Sequence, residues 1–427
     1  MLENVKRFDM DKPPKRQMLR PIMWALSFPG LISHRNKLTK IGMEGVKPPY
    51  LLLCNHNAFM DMKAAVKATF PHRTNFVVAI DGFISREWLL RRIGCICKRK
   101  FTNDLGLLWK LRKVAENGDI PVIYPEARYS LCGTTAVLPD GIGRLVRFLK
   151  LPVVTLICHG HHVNSPFFNL PDHKVKGTTA TMKLLITAEE AKTLSHEELK
   201  ARIEKDFVYD DYRWQEEKGV RITYPKRAEG LHKVLYQCPA CRTEYRMTSS
   251  GTTLKCEACG KEWEVDELNR LKAKSGRTEF SHIPDWYEWE RKNVRAEVED
   301  ESYSLSCAAQ VDALPNAKGY IDIGSATLVH DMTGTRLSGT ESGKPYEIFL
   351  PADTNYSVHI EYDYLGTKGD CVDLNTPDDT LYVYPVGRDF SVTKIALATE
   401  ELYAFHRKRL AEEKRRRSAE KSSPAET

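Results

Sequence analysis

A short apolar run leads into a polar turn in residues 50–61, which read Tyr50-Leu51-Leu52-Leu53-Cys54-Asn55-His56-Asn57-Ala58-Phe59-Met60-Asp61. The first five residues have the length and composition of a buried strand, and residues 64–69 are compatible with a helix. On one continuous helix His56 and Asp61 would point about 140° apart. They can face each other only if His56 lies in the turn and Asp61 lies inside the helix, so the stretch predicts a strand, a turn and a helix.

The pairing of His56 with Asp61 is typical of a general base. A carboxylate beside one ring nitrogen fixes the tautomer and leaves the other nitrogen free to take a proton near pH 7. A capping aspartate or a core histidine with satisfied hydrogen bonds would give the same spacing. The pair alone therefore does not separate a catalytic role from a structural one.

Further apolar runs of the same kind lie at residues 75–80, 120–124 and 152–157. Short apolar runs separated by helical stretches are typical of an α/β domain with a mainly parallel sheet. In such sheets ligands bind beyond the carboxyl ends of the strands. Asn55-His56 and Pro125-Glu126 both follow strands directly, so we expect the site at this edge of the sheet.

A second polar block closes the run at residues 120–124 and reads Tyr124-Pro125-Glu126-Ala127-Arg128-Tyr129-Ser130. It brings a carboxylate, a guanidinium and a hydroxyl to the end of a strand. The planar guanidinium of arginine can donate two parallel hydrogen bonds to a phosphate. The block therefore predicts a second part of the same site.

The two blocks together resemble the glycerolipid acyltransferase superfamily, which contains the 1-acyl-sn-glycerol-3-phosphate and glycerol-3-phosphate acyltransferases. That superfamily has an N-H-x-x-x-x-D block followed by an F-P-E-G-T-R-S block. His56 and Asp61 match the first block. The second block is matched by Pro125, Glu126 and Ser130, with Tyr124 as an aromatic substitute for its phenylalanine.

The resemblance extends beyond the two blocks and also shows departures. Residues 94–100 correspond to the superfamily's Gly-x-Ile-Phe-x-x-Arg stretch, and residues 151–154 to its later V-P-V strand. Ala127 stands where the pattern has glycine. Arg128-Tyr129 stands where it has Thr-Arg, which displaces the arginine by one position. The resemblance covers roughly residues 20–190.

The resemblance implies an O-acyltransferase of phospholipid biosynthesis. It would move a fatty acyl group from acyl-CoA or acyl carrier protein to a hydroxyl of a lysophospholipid. The first candidate acceptor is 1-acyl-sn-glycerol-3-phosphate, and glycerol-3-phosphate or another lysolipid is the alternative. His56, oriented by Asp61, would be the base, with no acyl-enzyme and no catalytic cofactor. The residues implied to hold the acceptor are Glu126, Arg128, Ser130, Lys98, Arg99 and Lys100.

Four cysteines form two Cys-x-x-Cys pairs, Cys238 with Cys241 and Cys256 with Cys259, separated by fourteen residues. This pattern is typical of a zinc ribbon. Because all four ligands would be cysteine, we expect a closed, structural Zn²⁺ site; a catalytic zinc or a redox dithiol is the alternative. The other seven of the eleven cysteines form no even framework, which favours reduced thiols and a cytoplasmic protein.

Three histidines occur together in His159-Gly160-His161-His162, directly after the predicted strand at residues 152–157. They should therefore also lie at the site edge. No carboxylate follows at the spacing of a histidine-rich zinc enzyme, so a polar loop or a site-lining segment is favoured over a metal site.

The net charge is +7, and one cluster of basic residues lies at each end of the chain, at residues 6–20 and 407–417. Basic ends favour an acidic surface such as anionic lipid, nucleic acid or an acidic carrier protein, although solvated termini would look the same. The apolar run Pro21–His34 could lie among lipid headgroups or pack on the domain core. No segment is both long and apolar enough to span a bilayer, since polar residues interrupt the uncharged run at residues 151–171. The charged start is not a signal peptide. The expectation is a protein peripheral on the inner face of the membrane.

Composition divides the chain into six predicted parts. They are a basic, amphipathic, membrane-proximal segment (1–45), an acyltransferase domain (46–230), a zinc ribbon (231–265), a helical connector (266–300), an antiparallel β module (301–398) and a basic helical tail (399–427). The ribbon is balanced in charge and lacks a basic and aromatic stripe, so no nucleic-acid partner is expected. A zinc-ribbon nucleic-acid-binding protein and a non-catalytic lipid-binding scaffold are the rival functions.

Overall fold

A computed structural model describes residues 5–102, 104–366 and 368–422, with side chains up to residue 417. Residues 1–4 of the predicted N-terminal segment and 423–427 of the predicted tail lie outside the described residues. The described chain forms an α/β unit, then a small four-stranded sheet, then a seven-stranded antiparallel sheet.

The α/β unit contains the first helices and strands. In chain order they are α1 (Arg20–Ser33), β1 (Lys37–Ile41), β2 (Leu51–Cys54), α2 (Met60–Thr69), β3 (Thr74–Ala79), a 3-10 helix (Ile80–Phe83), α3 (Glu87–Arg92), β4 (Ile96–Lys98), α4 (Leu105–Glu116), β5 (Ile120–Ile123), α5 (Ile142–Leu149), β6 (Val153–His159), α6 (His161–Asn164), β7 (Thr179–Ile186), α7 (Ala188–Thr193), α8 (His196–Asp206), α9 (Asp211–Glu217) and α10 (Leu231–Val234).

The sheet of this unit has the strand order β1-β7-β6-β2-β5-β3-β4. Its neighbouring strands are parallel, apart from the antiparallel pair of β6 and β7. The predicted α/β fold with a mainly parallel sheet is confirmed. Because β2 lies between β5 and β6, the turn after β2 lies at the middle of the sheet's carboxyl edge.

Strand β2 is buried on both faces, as expected for a central parallel strand. Leu52 and Cys54 pack with residues of α2 on one face, whereas Leu51 and Leu53 pack with residues of α5 and α8 on the other. Successive side chains of a strand point to opposite faces, so a continuous apolar run is what this position requires. This packing fixes the point from which the His56 turn leaves the sheet.

Residues 20–41 belong to the α/β unit although they precede residue 46. Helix α1 packs against α2 and buries Met23, Ser27 and Leu31. Strand β1 pairs with β7 at the edge of the sheet. In the described part of the chain, no helix combines the length and the apolar composition needed to cross a membrane.

The second cysteine pair lies at the end of one strand of the small sheet and in the turn after it, and the first pair precedes the sheet. Its strands are β8 (Met247–Ser250), β9 (Thr253–Cys256), β10 (Glu262–Val265) and β11 (Leu271–Ala273), followed by α11 (Ile283–Glu299). Trp263 of β10 and Trp286 of α11 are fully buried and meet edge to face, 5.0 Å apart between ring centroids. The ribbon and the helical connector therefore share one core.

The last sheet is antiparallel, as the sequence predicts. Its strands are β12 (Ser304–Ala313), β13 (Ile321–Asp331), β14 (Gly334–Glu341), β15 (Lys344–Pro351), β16 (His359–Glu361), β17 (Cys371–Asn375) and β18 (Thr380–Pro385), with a 3-10 helix at Tyr364–Gly366. They lie in the order β15-β14-β13-β12-β18-β17-β16. Helix α12 (Val392–Ser422) follows and begins before residue 399, because its first turns are apolar and buried.

The antiparallel sheet docks directly on the α/β unit. The buried guanidinium of Arg99 donates hydrogen bonds to the backbone oxygen of Leu314 (3.0 Å) and the hydroxyl of Thr380 (2.9 Å). Leu314 and Tyr382 lie in the same apolar cluster as Phe76 of β3. This contact brings the C-terminal sheet to the carboxyl edge of the parallel sheet, beside the His56 turn.

Candidate active site

His56 lies in the turn after β2 and Asp61 lies in the first turn of α2, as predicted. The Nδ1 atom of His56 is 3.7 Å from Oδ2 of Asp61. Asp61 is fully buried, whereas the His56 side chain keeps 22% of its surface exposed. The structure therefore brings the two predicted residues together and leaves the histidine accessible.

The Asp61 carboxylate is held by three short hydrogen bonds that do not involve His56. Oδ2 accepts from the backbone N–H groups of Asn57 (2.5 Å) and Ala58 (2.8 Å). Oδ1 lies 2.6 Å from Nδ1 of the fully buried His161. Burial raises the pKa of Asp61, but the contacts with His161 and then His56 outweigh it and bring the pKa to about 2. Asp61 is therefore a carboxylate throughout the physiological range.

His161 is a site residue that the sequence indicates only weakly. The three-histidine stretch follows β6, and β6 is the neighbour of β2 in the sheet, so both turns reach the same edge. The site-lining interpretation of this stretch predicts the neighbourhood. Which histidine contacts Asp61 depends on the turn geometry, which the spacing does not specify.

Two tyrosines enclose the His56 ring. Tyr124 stacks on it with ring centroids 4.2 Å apart, and Tyr129 lies at 4.3 Å. Burial raises the pKa of both phenols, so they remain neutral. This packing restricts the imidazole to one orientation, in which Nδ1 faces Asp61.

The turns after β2 and β6 are also joined by amide hydrogen bonds. The Asn55 side chain donates to the backbone oxygen of Cys158 (2.9 Å) and accepts from its N–H (2.8 Å). Asn57 donates to the same oxygen (3.3 Å). These contacts lock the two strand ends together, which explains the asparagines on both sides of His56.

Glu126 lies beside His56 but is fully enclosed by protein. Its Oε1 accepts from the N–H of His56 (3.2 Å), its Oε2 from the N–H of Ala136 (2.9 Å), and the Tyr209 hydroxyl lies within hydrogen-bonding distance of both oxygens. Burial raises the pKa of Glu126 to about 8 in spite of these donors. In this arrangement Glu126 holds the backbone of the His56 turn by a hydrogen bond from the N–H group of His56.

The other predicted residues of the second block also have protein partners. Nη2 of Arg128 lies 2.5 Å from Oε1 of Glu400 in α12, and both side chains are almost fully buried. Ser130 donates its hydroxyl to the backbone oxygen of Thr134 (2.5 Å), and its N–H donates to the oxygen of His56 (2.8 Å). Arg128 therefore connects the turn to the C-terminal helix.

The basic residues at the end of β4, Lys98, Arg99 and Lys100, also contact protein groups. Lys98 donates to the backbone oxygen of Thr102 (2.7 Å), and Arg99 reaches the C-terminal sheet as described above. The Lys100 ammonium lies within 4 Å of carboxylates from both units, those of Asp81 (3.3 Å), Asp373 (3.4 Å) and Glu361 (3.9 Å). Burial opposes the charge on Lys100, but these carboxylates raise its pKa.

The four cysteines of the ribbon converge on one point, and the group could hold a metal ion. Their sulfur atoms all lie within 4.8 Å of one another. Cys238 and Cys259 are 3.8 Å apart at sulfur, and Cys241 and Cys256 are 3.7 Å apart. Zinc–sulfur bonds of about 2.3 Å in a tetrahedron would place the sulfurs about 3.8 Å apart. The spacing fits a four-cysteine zinc centre.

Residues 33–159 match the family model described as Acyltransferase. This range contains both sequence blocks and the His56–Asp61 pair, so this part of the chain is similar to acyltransferase domains. No curated protein sequence matches the chain.

Among solved structures, the chain resembles the 1-acyl-sn-glycerophosphate (LPA) acyltransferase of Thermotoga maritima. The two are 15% identical with a TM-score of 0.36, and the match covers 44% of this chain and 76% of that one.

Proposed function

We propose that this protein transfers a fatty acyl group from a thioester donor, acyl-CoA or acyl carrier protein, to a hydroxyl of a lysophospholipid. The observation that supports this most strongly is the His56 ring. It is partly exposed at the carboxyl edge of the sheet, within an acyltransferase domain, and its Nδ1 faces a buried carboxylate.

The proposed reaction is a direct transfer. Nε2 of His56 accepts the proton of the acceptor hydroxyl while that oxygen attacks the thioester carbonyl carbon. The carbon–sulfur bond then breaks, and the proton on His56 passes to the leaving thiolate. Asp61 stabilises the imidazolium that exists between these two proton transfers. General-base catalysis of this kind contributes typically about 10²–10⁴-fold in rate.

The first acceptor to assay is 1-acyl-sn-glycerol-3-phosphate, which the sequence resemblance indicates. Glycerol-3-phosphate and other lysolipids are the alternatives. Arg99 and Arg128 have partners in the C-terminal part of the chain, and Lys100 lies among carboxylates. The acceptor panel should therefore vary the charge of the head group as well as the position of the free hydroxyl.

We also propose attachment to the inner face of a membrane through α1. Ile22, Leu26 and Ile32 are exposed on this helix, with 68% of the Leu26 surface accessible. Phe59, three residues after His56, is 60% exposed, and the ammonium of Lys63 lies over its ring. An apolar stripe flanked by cations suits the boundary between headgroups and acyl chains, where an acyl acceptor would be found.

For the four-cysteine centre we propose a structural Zn²⁺. Cys238, Cys241, Cys256 and Cys259 would hold it as thiolates, which closes all four coordination positions. The centre then stabilises the ribbon and takes no part in acyl transfer.

The test is acyl transfer from a radiolabelled acyl-CoA, and in parallel from acyl carrier protein, to the acceptor panel. Wild type is compared with His56→Ala, and thermal unfolding of both proteins checks the fold. Product from wild type and its loss of about 10³-fold or more in the variant would support the proposal. A folded His56→Ala variant with near-normal activity would exclude His56 as the base. Absence of product with every acceptor would favour a non-catalytic scaffold.

A further inference from the structure

Two histidines contact the Asp61 carboxylate, and His161 lies closer to it than His56 does. The Nδ1–Oδ1 distance is 2.6 Å, and neither side chain has any exposed surface. By comparison, His56 lies 3.7 Å from the other carboxylate oxygen. Asp61 is thus shared by two histidines, one accessible and one buried.

We propose that His161 is a positioning residue for acyl transfer. It holds the Asp61 carboxylate toward His56 and takes up part of its charge, and in this way it sets how strongly Asp61 stabilises the protonated base. This inference rests on the proposed role of His56.

His161 is the first residue of α6, and the backbone at this helix start is fixed by hydrogen bonds. Both oxygens of the buried Asp211 accept from backbone N–H groups there, Oδ1 from Gly160 (3.0 Å) and Oδ2 from His162 (2.8 Å). Gly160 has a φ of +85°, and a Cβ atom there would come within 2.5 Å of the Trp214 ring. The backbone on either side of His161 is therefore held in place, and the ring follows.

The proton of this contact belongs on His161. Asp61 is ionised, so its oxygens only accept, and Nδ1 of His161 is the donor. Nε2 of His161 is buried without a hydrogen-bond partner among the described residues. The His161 ring thus makes one hydrogen bond, and its acceptor is the Asp61 carboxylate, which also faces His56.

Removing the donor should act on the rate and on the pH profile. Asp61 would lose one of three hydrogen bonds that fix its plane, and a displaced carboxylate misorients the base. The negative charge of Asp61 would also be neutralised by fewer hydrogen-bond donors. The carboxylate would then stabilise the imidazolium of His56 more strongly. Because catalysis needs neutral His56, the acid limb of the pH–rate profile should move to higher pH.

Several other titratable groups face this site and are common to all variants. They are Cys54 and Cys158 beside Asp61, Tyr124 and Tyr129 beside His56, Glu126 on the His56 backbone, Asp81, Lys100 and Glu361 toward Tyr129, and His159, His162 and Asp211 around the turn.

The experiment compares His161→Leu, which has no donor, with His161→Asn, whose side-chain amide can donate from nearly the position of Nδ1. Leucine should lower kcat about 10- to 100-fold and shift the acid limb upward. Asparagine should recover much of the rate and return the limb toward that of wild type. Thermal unfolding of both variants controls for misfolding.

A second readout needs no substrate. The His56 ring is titrated by NMR in protein with labelled histidine, its signal assigned by loss in His56→Ala. An upward shift in His161→Leu relative to His161→Asn supports the inference even if the acceptor is misassigned. Equal loss of activity in both variants, with unchanged acid limbs and an unchanged His56 titration, would reduce His161 to a packing residue and overturn it. Wild type without acyl transfer would instead contradict the proposed function.

Discussion

The turn after β5 holds an alanine in a backbone conformation that favours glycine. Ala127 has a φ of +56°, in the left-handed region, and its N–H donates to the oxygen of Tyr124 to close the turn. The left-handed conformation costs a residue with a Cβ atom about 1–2 kcal/mol. The glycine of the superfamily's second block thus corresponds to a real backbone requirement at this position.

We expect Ala127→Gly to stabilise the protein by up to about 1 kcal/mol, because relief of the strain exceeds the extra flexibility of glycine in the unfolded chain. The matched control is Ala201→Gly, an exposed position at the middle of α8, where the same replacement should destabilise by about 1 kcal/mol. Thermal unfolding of the two variants measures both changes. A loss of stability in Ala127→Gly as large as that in Ala201→Gly would show that the turn is not strained.

Glu126 should make stability depend on pH. Burial raises its pKa from 4.5 to about 8 in the folded protein. A carboxyl group with a raised folded pKa binds its proton more tightly when folded. Its contribution is therefore fully present below about pH 4.5 and is lost as the pH rises toward 8, by up to about 1.4 kcal/mol per pH unit.

The measurement for Glu126 is the difference in unfolding free energy between wild type and Glu126→Gln at several pH values. Wild type should lose stability relative to the variant between pH 5 and 8, since glutamine does not titrate. A constant difference across this range would show that Glu126 is ionised throughout.

At the scale of elements, α1 carries the proposed membrane contact. Replacing Leu26, which is 68% exposed, with glutamate should reduce flotation with anionic vesicles several-fold, because it removes apolar area and adds repulsion from the lipid charge. The control is Val208→Glu, an exposed apolar residue outside α1. Equal vesicle binding by both variants would show that α1 does not form the membrane contact.

The ribbon should depend on its metal for folding. Cys256→Ser removes one of the four thiolates, and we expect the protein to lose one zinc equivalent and to unfold at a lower temperature. Metal content by mass spectrometry and the apparent Tm are the measurements. Cys307→Ser, outside the cluster, is the control. Purified wild type with no bound metal would contradict the proposal.

The sequence predicts the elements that form through contacts between residues close together in the chain, and it does not predict contacts between distant residues. The parallel sheet, the antiparallel sheet and the cysteine centre follow from short patterns, namely apolar runs, alternation and paired Cys-x-x-Cys. The meeting of His56 with Asp61 follows likewise from one strand, one turn and one helix. The contact of Asp61 with His161 spans 100 residues and requires β6 to lie beside β2, which short patterns do not specify.

At the scale of the molecule, the C-terminal sheet and α12 belong to the site's support. Arg128 contacts a residue 272 positions later in the chain, and Arg99 contacts one 281 positions later. The motif residues were predictable as positions, but their partners were not, because buried charges find partners through the packing of whole units. Arg128 therefore contacts α12, while His56 remains at the carboxyl edge of the sheet.

Glu400 should therefore support stability and activity across this interface. Its carboxylate contacts Arg128 at 2.5 Å and Arg291 at 2.7 Å, with all three side chains largely buried. Glu400→Ala leaves two buried guanidinium groups without this partner, which should destabilise the protein by about 3–5 kcal/mol. Acyl transfer should fall as well, because Arg128 adjoins Tyr129, which packs on His56.

The matched control for Glu400→Ala is an exposed ion pair of the same helix. Arg409 contacts Glu301 at 2.8 Å with more than half of both side chains exposed, and such a pair is worth about 1 kcal/mol or less. Thermal unfolding and acyl transfer are measured for Glu400→Ala and Arg409→Ala. If Glu400→Ala resembles Arg409→Ala in both, then the C-terminal part of the chain only covers the acyltransferase domain. If Glu400→Ala alone loses stability and activity, then α12 holds the turn that packs on His56.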